Sequence, residues 1–335
     1  MPYLTSADPA PKTAPRRLTT TVPREYVHRT AVSEVLLTAW HPHNPPGTNR
    51  TNRTDRTDRT DRTDRTDRSD SFIVDAQWPR NHTLFAPHHG QQNPMLLIES
   101  VRQTGSLLAH AAYHVPFGFQ FLMSHMTITT DPELLTADPT PTDIHLHTHC
   151  HTHHRNGILR EMRYDITTTR DNGSHATASA AFRCMSPTVY QRLRGNPTTT
   201  HTPPPPPPLD PTLVGHTNPR HVLLTHPTPT TPHTWQLRID TTHPTYFDHP
   251  VDHIPGMVLL EAARQAAHAT TQQPTAHLHH LTSTFTRYAE LHTPCWITAT
   301  PQPHTPPNHH HIHIQGTQQH QTIFTADLHL HPHTP

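Results

Sequence analysis

Two stretches of this chain carry the same polar residues at the same spacing. In residues 94–110 they are Glu99, Arg102 and Gln103; in residues 255–272 they are Glu261, Arg264 and Gln265. One constant offset relates all three pairs. The same register adds Ser106 and His110 to the first stretch and His268 and Gln272 to the second. Positions i, i+3, i+4, i+7 and i+11 fall on one face of a helix. A glutamate set among apolar residues is a candidate general base, because burial raises a carboxyl pKa. The arginine is a candidate to hold a phosphate or to orient the glutamate, and the glutamine to bind substrate beside them.

The elements that must position these groups are two long helices. Around the first stripe stand Leu96, Leu97, Ile98, Val101, Leu107 and Leu108; around the second, Val258, Leu259, Leu260, Ala262, Ala263 and Ala266. A helix that is apolar nearly all round is buried, so its narrow polar stripe faces a cleft or an interface rather than bulk water. A surface salt bridge explains one such stripe but explains a repeated one poorly, whereas an inter-domain hydrogen-bonding seam remains a plainer reading of both. Asn93 is a good N-cap for the first helix, with Pro94 at its first position. His82 and His243 precede the two helices, each with an aromatic residue close behind (Phe85, Phe247). Asp248 and His249 lie nearer the second helix and are candidates to bind substrate, the plainer reading being a polar turn before Pro250.

At 335 residues the chain suits two medium domains, and 31% hydrophobic content with 39 prolines implies several stretches outside any core. Formal charge is zero with 38 histidines counted as neutral, and Lys12 is the sole lysine. Cys150, Cys184 and Cys295 are odd in number and scattered, which argues against a disulfide framework or a zinc ribbon and for a reducing compartment. No signal-peptide pattern and no apolar run near ~20 residues is present, so a soluble, cytoplasmic protein without membrane contact is expected.

Residues 1–21 read as a mobile tail. Strand-like runs are predicted at 26–40, 72–78, 119–129, 143–154, 159–170 and 175–185, with Asp171-Asn172-Gly173 as a tight turn. Thr-Asn-Arg and Thr-Asp-Arg triplets over 48–68 predict a solvated loop. Each of their arginines has an acidic or amide neighbour, so nucleic acid is not expected as a partner. Six prolines at 203–208 mark a linker over 196–217. Strands then restart at 220–225, 234–241, 277–289, 294–300, 309–315 and 321–331. The chain thus reads as a first domain over 22–195 and a second over 218–333. Each is a few strands, one buried helix and a run of antiparallel strands: an α+β fold of two helices, each wrapped by a curled sheet.

These features together resemble the hotdog fold, and more closely the AfsA-type A-factor biosynthesis family of tandem hotdog proteins. The match is carried by Val22-Pro23-Arg24-Glu25-Tyr26-Val27-His28, Ala76-Gln77-Trp78-Pro79-Arg80, Glu99-Ser100-Val101-Arg102-Gln103 and Ser186-Pro187-Thr188-Val189-Tyr190. In the second half it is carried by Pro219-Arg220-His221-Val222-Leu223-Leu224-Thr225, and by Phe247-Asp248-His249-Pro250 running on to Glu261-Ala262-Ala263-Arg264-Gln265. The resemblance implies transfer of a β-ketoacyl group from an acyl-carrier-protein thioester to a hydroxyl of dihydroxyacetone phosphate, on the way to a γ-butyrolactone signal. Alternatives within the fold are a thioesterase or dehydratase, or a non-catalytic regulatory member. Related hotdog enzymes pair a histidine ahead of the central helix with an acid from the other hotdog unit, which makes His82 and His243 candidates. Helix N-terminal amides are candidates to polarise the thioester carbonyl. An intramolecular pseudo-dimer of the two halves is the expected assembly.

The alternation of His145, His147, His149 and His151 places four imidazoles on one strand face, read as an exposed face rather than a metal site. No nucleophile elbow, Walker loop or dinucleotide glycine fingerprint is present, and no cofactor is expected.

Overall fold

The computed structural model describes residues 20–43, 65–195, 204–303 and 309–332. The expectations for 1–19, for most of the triplet run (48–64) and for the start of the linker (196–203) lie outside the described residues.

The strands are β1 (Leu37–Pro42), β2 (Arg65–Trp78), β3 (Gln120–Thr130), β4 (Thr142–Arg155), β5 (Ile158–Thr169), β6 (His175–Met185), β7 (Thr234–Gln236), β8 (His277–Phe285), β9 (Cys295–Pro301), β10 (His310–Gln318) and β11 (Gln321–His331). The helices are α1 (Met95–Ala111), α2 (Pro187–Arg194) and α3 (Gly256–Thr271). All ladders are antiparallel and form one sheet in the order β1-β2-β4-β5-β6-β3-β8-β11-β10-β9-β7. The halves join where β3, the strand after α1, pairs with β8, the strand after α3, from His125↔Thr284 to Thr129↔His280. Each half therefore presents the same strand to a central seam, as a pseudo-twofold pair requires.

Burial follows the period of two. Along β4, Ile144, Leu146 and Cys150 point inward, while His145, His147, His149 and His151 point outward and His145 pairs with Asp75. Among the described residues no group of three or more His, Cys, Asp or Glu is arranged to hold a metal ion. Leu96, Leu97, Leu107 and Leu108 of α1 and Val258, Leu260, Ala262 and Ala263 of α3 are fully enclosed. Each large aliphatic side chain so buried stabilises the fold by about 1.5–3 kcal/mol. The fit is tight at Gly105 on α1, where a Cβ would stand 2.5 Å from Tyr164 Oη. Asn93 Oδ1 accepts the Met95 amide, so the expected cap is made.

The structure departs from the predicted elements where irregular backbone replaces strand. Residues 24–27 and 32–34 form short 3₁₀ turns, and only Leu37–Pro42 of the run at 26–40 pairs as strand. The run at 220–225 opens as a 3₁₀ turn (Pro219–His221) and contributes only isolated bridges at Leu224 and Thr225. The run at 234–241 keeps just Thr234–Gln236. Residues 65–68, expected in the solvated loop, extend β2, because backbone pairing with β4 needs no apolar side chain. Residues 208–217 are not linker. Leu209 and Val214 are buried, and a 3₁₀ turn (Pro211–Val214) leads into the second half. No helix among the described residues is long and apolar enough to cross a membrane.

Candidate active site

Both stripes fold as the spacing requires except at Gln272, which is exposed in the left-handed region (φ 55°) just past the end of α3. Glu99, Gln103, Ser106 and His110 are buried along α1, and Glu261, Arg264, Gln265 and His268 along α3. Within each helix the arginine reaches back one turn to the glutamate. Arg102 donates to Glu99 through Nε and Nη2 (2.9 and 2.7 Å), and Arg264 to Glu261 through the same atoms (2.8 and 2.7 Å). Gln103 and Gln265 directly follow these arginines, and each donates to its glutamate (2.7 and 2.8 Å).

The glutamines are spent within the protein. Gln103 accepts the Leu36 amide and also donates to Glu34 O. Gln265 accepts the Leu223 amide and also donates to His221 O. Substrate binding by either, as expected from the stripe, is not what this geometry offers; each ties an extended segment to its helix.

The glutamates differ from the raised-pKa bases that apolar surroundings predict. Burial alone raises the Glu99 pKa, but Arg102 and Arg29 outweigh it and hold it down to about 2. At Glu261 burial is outweighed by Arg264 and by the hydrogen bonds of Arg264 and His216, so its carboxyl also lies well below the usual range. Both are carboxylates with their oxygens occupied by donors, and neither is placed to take a proton.

The third partner of each glutamate comes from outside the helix and was not found from the sequence. Arg29 donates to Glu99 Oε1 through Nη2 and Nε (2.7 and 3.0 Å), and His216 Nε2 lies 2.8 Å from Glu261 Oε1. Each follows a residue in the left-handed region, His28 (φ 52°) and Gly215 (φ 74°), at the end of a 3₁₀ turn. Matching Val27-His28-Arg29 with Val214-Gly215-His216 across the halves would have exposed the equivalence.

His82 and His243 are equivalent too. His82 Nδ1 accepts the amides of Leu84 and Phe85, and His243 Nδ1 those of Thr245 and Tyr246. His82 Nε2 lies 3.4 Å from Glu34, while His243 Nε2 is buried without a partner. Neither imidazole hydrogen-bonds Glu99 or Glu261. Burial, with His221 and Arg220 nearby, lowers His243 to about 3.

Each cleft is closed by the opposite half. Over α1, Thr245 O accepts from Arg29, and Asp248 accepts the amides of Thr30 and Ala31 (2.5 and 2.9 Å). Asp248 is thus a staple between the halves, and His249, half exposed, contacts it at 3.2 Å. Over α3, Leu84, Pro87 and His88 from the first half face His216, Arg264 and His268 across a cavity of about 260 Å³. Among the described residues Arg264 Nη1 makes no hydrogen bond, and the His268 ring has only the Pro274 backbone beside it, in no well-aligned hydrogen bond. Burial and Arg264 lower the His268 pKa to about 3. The α1 amides from Met95 to Ile98 are all bonded, whereas the Gly256 and Met257 amides at the start of α3 find no backbone acceptor among the described residues. The first helix therefore lacks the free amides expected at its N-terminus.

Two central helices, each buried by antiparallel strands, with each polar stripe covered by the opposite half, define a tandem hotdog protein. The solved structure of a Lactobacillus plantarum protein described as an oleoyl thioesterase shares this fold: TM-score 0.51 at 11% identity, over 78% of this chain and 97% of that one. The chain belongs to the AfsA family, whose A-factor biosynthesis hotdog domain matches residues 10–186 and again 198–332. It is 41% identical over 315 residues to a 2-oxo-3-(phosphooxy)propyl 3-oxoalkanoate synthase of Streptomyces virginiae, covering 92% of this chain and 97% of that protein. A synthase of the same name from Streptomyces coelicolor is 34% identical over 311 residues, covering 92% and 90%.

Proposed function

We propose that this protein transfers a 3-oxoacyl group from an acyl-carrier-protein thioester to the hydroxyl of dihydroxyacetone phosphate, giving the ester for which its relatives are named. The observation that carries this reading is the second cleft. It is a cavity between the halves where Arg264 keeps one guanidinium nitrogen unused beside a fixed carboxylate, with the His268 ring next to it. An unused charged donor inside a cavity favours an anionic ligand that can accept from it.

A phosphate suits these groups, since Arg264 Nη1 is a charged donor and His268 supplies a further N–H. Gly256 and Met257 do not line this cavity, so the thioester oxygen is not assigned to the amides at the start of α3. Glu261 holds Arg264 in place, and Gln265 holds the segment around Leu223 that forms the cleft wall. Glu99, Arg102, Gln103, His82 and His243 then act as structural supports of the paired halves. The carrier protein and dihydroxyacetone phosphate are the partners, with no nucleic acid, and the site is expected to work in the cytoplasm.

Incubating the purified protein with a 3-oxoacyl carrier-protein thioester and dihydroxyacetone phosphate tests the reading by mass spectrometry. The expected product is the phosphorylated ester with free carrier thiol. Free 3-oxo acid or an enoyl thioester would instead assign a thioesterase or dehydratase, and unchanged substrate a non-catalytic role.

A further inference from the structure

Resting on that reading, we propose that His216 is the catalytic base of the second cleft, held by Glu261, and that the first cleft does not carry out the transfer. His216 Nε2 lies 2.8 Å from the ionised Glu261 carboxylate, a contact that requires the proton on Nε2. Arg264 Nη2, which carries two protons, is 3.2 Å from the same nitrogen and 2.7 Å from Glu261 Oε1, but an unprotonated Nε2 would leave a ring lone pair 2.8 Å from a carboxylate oxygen with no proton between them. With Nε2 committed as a donor, Nδ1 carries the ring's lone pair. It makes no hydrogen bond among the described residues, and His216 lines the cavity. A carboxylate that fixes an imidazole tautomer and leaves the other nitrogen facing substrate is the acid–histidine arrangement of general-base catalysis.

In the first cleft Arg29 stands where His216 stands, with the same contact to the glutamate. Guanidinium has no lone pair and stays protonated, so that cleft has no base at the equivalent point. The two shells share the glutamate, the arginine and the glutamine, and they differ in the third partner of the glutamate.

The step balances. Nδ1 of His216 takes the proton of the substrate's hydroxyl as its oxygen attacks the thioester carbonyl carbon. The C–O bond forms, and the tetrahedral oxyanion collapses with cleavage of C–S. The proton on Nδ1 passes to the departing thiolate, giving ester and thiol with His216 neutral again. Glu261 is a positioning residue in this scheme.

The test uses the full chain. His216→Arg reproduces the first cleft and keeps a donor to Glu261, so folding is retained while kcat falls by about 10²–10⁴-fold and KM changes by less than about threefold. His216→Ala also loses kcat, and added imidazole restores it at least about tenfold, which a purely structural role would not allow. Wild-type ester formation together with a folded His216→Arg enzyme within about threefold of wild-type kcat overturns the base assignment alone. A wild-type protein that makes no ester overturns the reading of the reaction and this assignment with it.

Discussion

Arg29 and His216 occupy the same position in the two halves of this protein: each follows a left-handed residue and each contacts Oε1 of the glutamate on its central helix. The halves share the frame of glutamate, arginine and glutamine, and this third partner differs in whether it can accept a proton.

The position before His216 tolerates no side chain. Gly215 has φ 74°, and a Cβ there would stand 2.8 Å from Pro274 O. Left-handed backbone costs an L-residue roughly 1–2 kcal/mol before any clash. Gly215→Ala is therefore expected to lower stability by at least that much in urea titration. Because it displaces the neighbouring His216, it is also expected to lower kcat by about tenfold or more. Unchanged kcat would show that this turn does not set the catalytic geometry.

Glu99 balances two cations. Glu99→Gln leaves Arg29 and Arg102 largely buried without a counter-charge, a change that costs about 3–5 kcal/mol. Chemical denaturation measures it, and a loss under about 1 kcal/mol would mean the pair is not buried in solution.

Asp248 joins the halves through two amides. Asparagine keeps one carbonyl oxygen for two donors, so Asp248→Asn is expected to free one amide at a cost of about 1–3 kcal/mol. Hydrogen exchange at Thr30 and Ala31 should accelerate first, ahead of amides in β4 and β5. Uniform protection across the chain would contradict the staple.

Acid should loosen the fold from the histidines before the carboxylates. Burial lowers His28, His243 and His268 from 6.5 to about 3, and His221 to about 4. Below pH 6.5 the unfolded chain binds these protons and the folded chain does not. The stability they contribute is thus present above 6.5 and lost as pH falls toward 3. Glu99 adds a second loss between 4.5 and about 2, for the same reason of sign. Melting temperature followed from pH 7.5 to 5 should fall, and His268→Gln should flatten the slope. A flat wild-type profile would contradict the burial of neutral imidazoles.

The sequence by itself determined the regular elements and the stripe. Helix faces repeat every 3.6 residues and strand faces every two, so α1, α3, β4, β5, β6 and the pairing of Glu99 with Arg102 and of Glu261 with Arg264 were legible locally. The resemblance carried by those same phrases supplied the fold and the reaction. Only the tertiary structure decided what completes each glutamate. Arg29 is 70 residues from Glu99 and His216 is 45 from Glu261, on irregular turns that carry no periodic signal. In a chain with 38 histidines nothing marks His216 by composition. The sign of the glutamate pKa changed for the same reason. Apolar neighbours in sequence predict a raised value, but the arginine one turn along the same helix, joined by Arg29 or His216 from a distant turn, lies under 3 Å away and dominates.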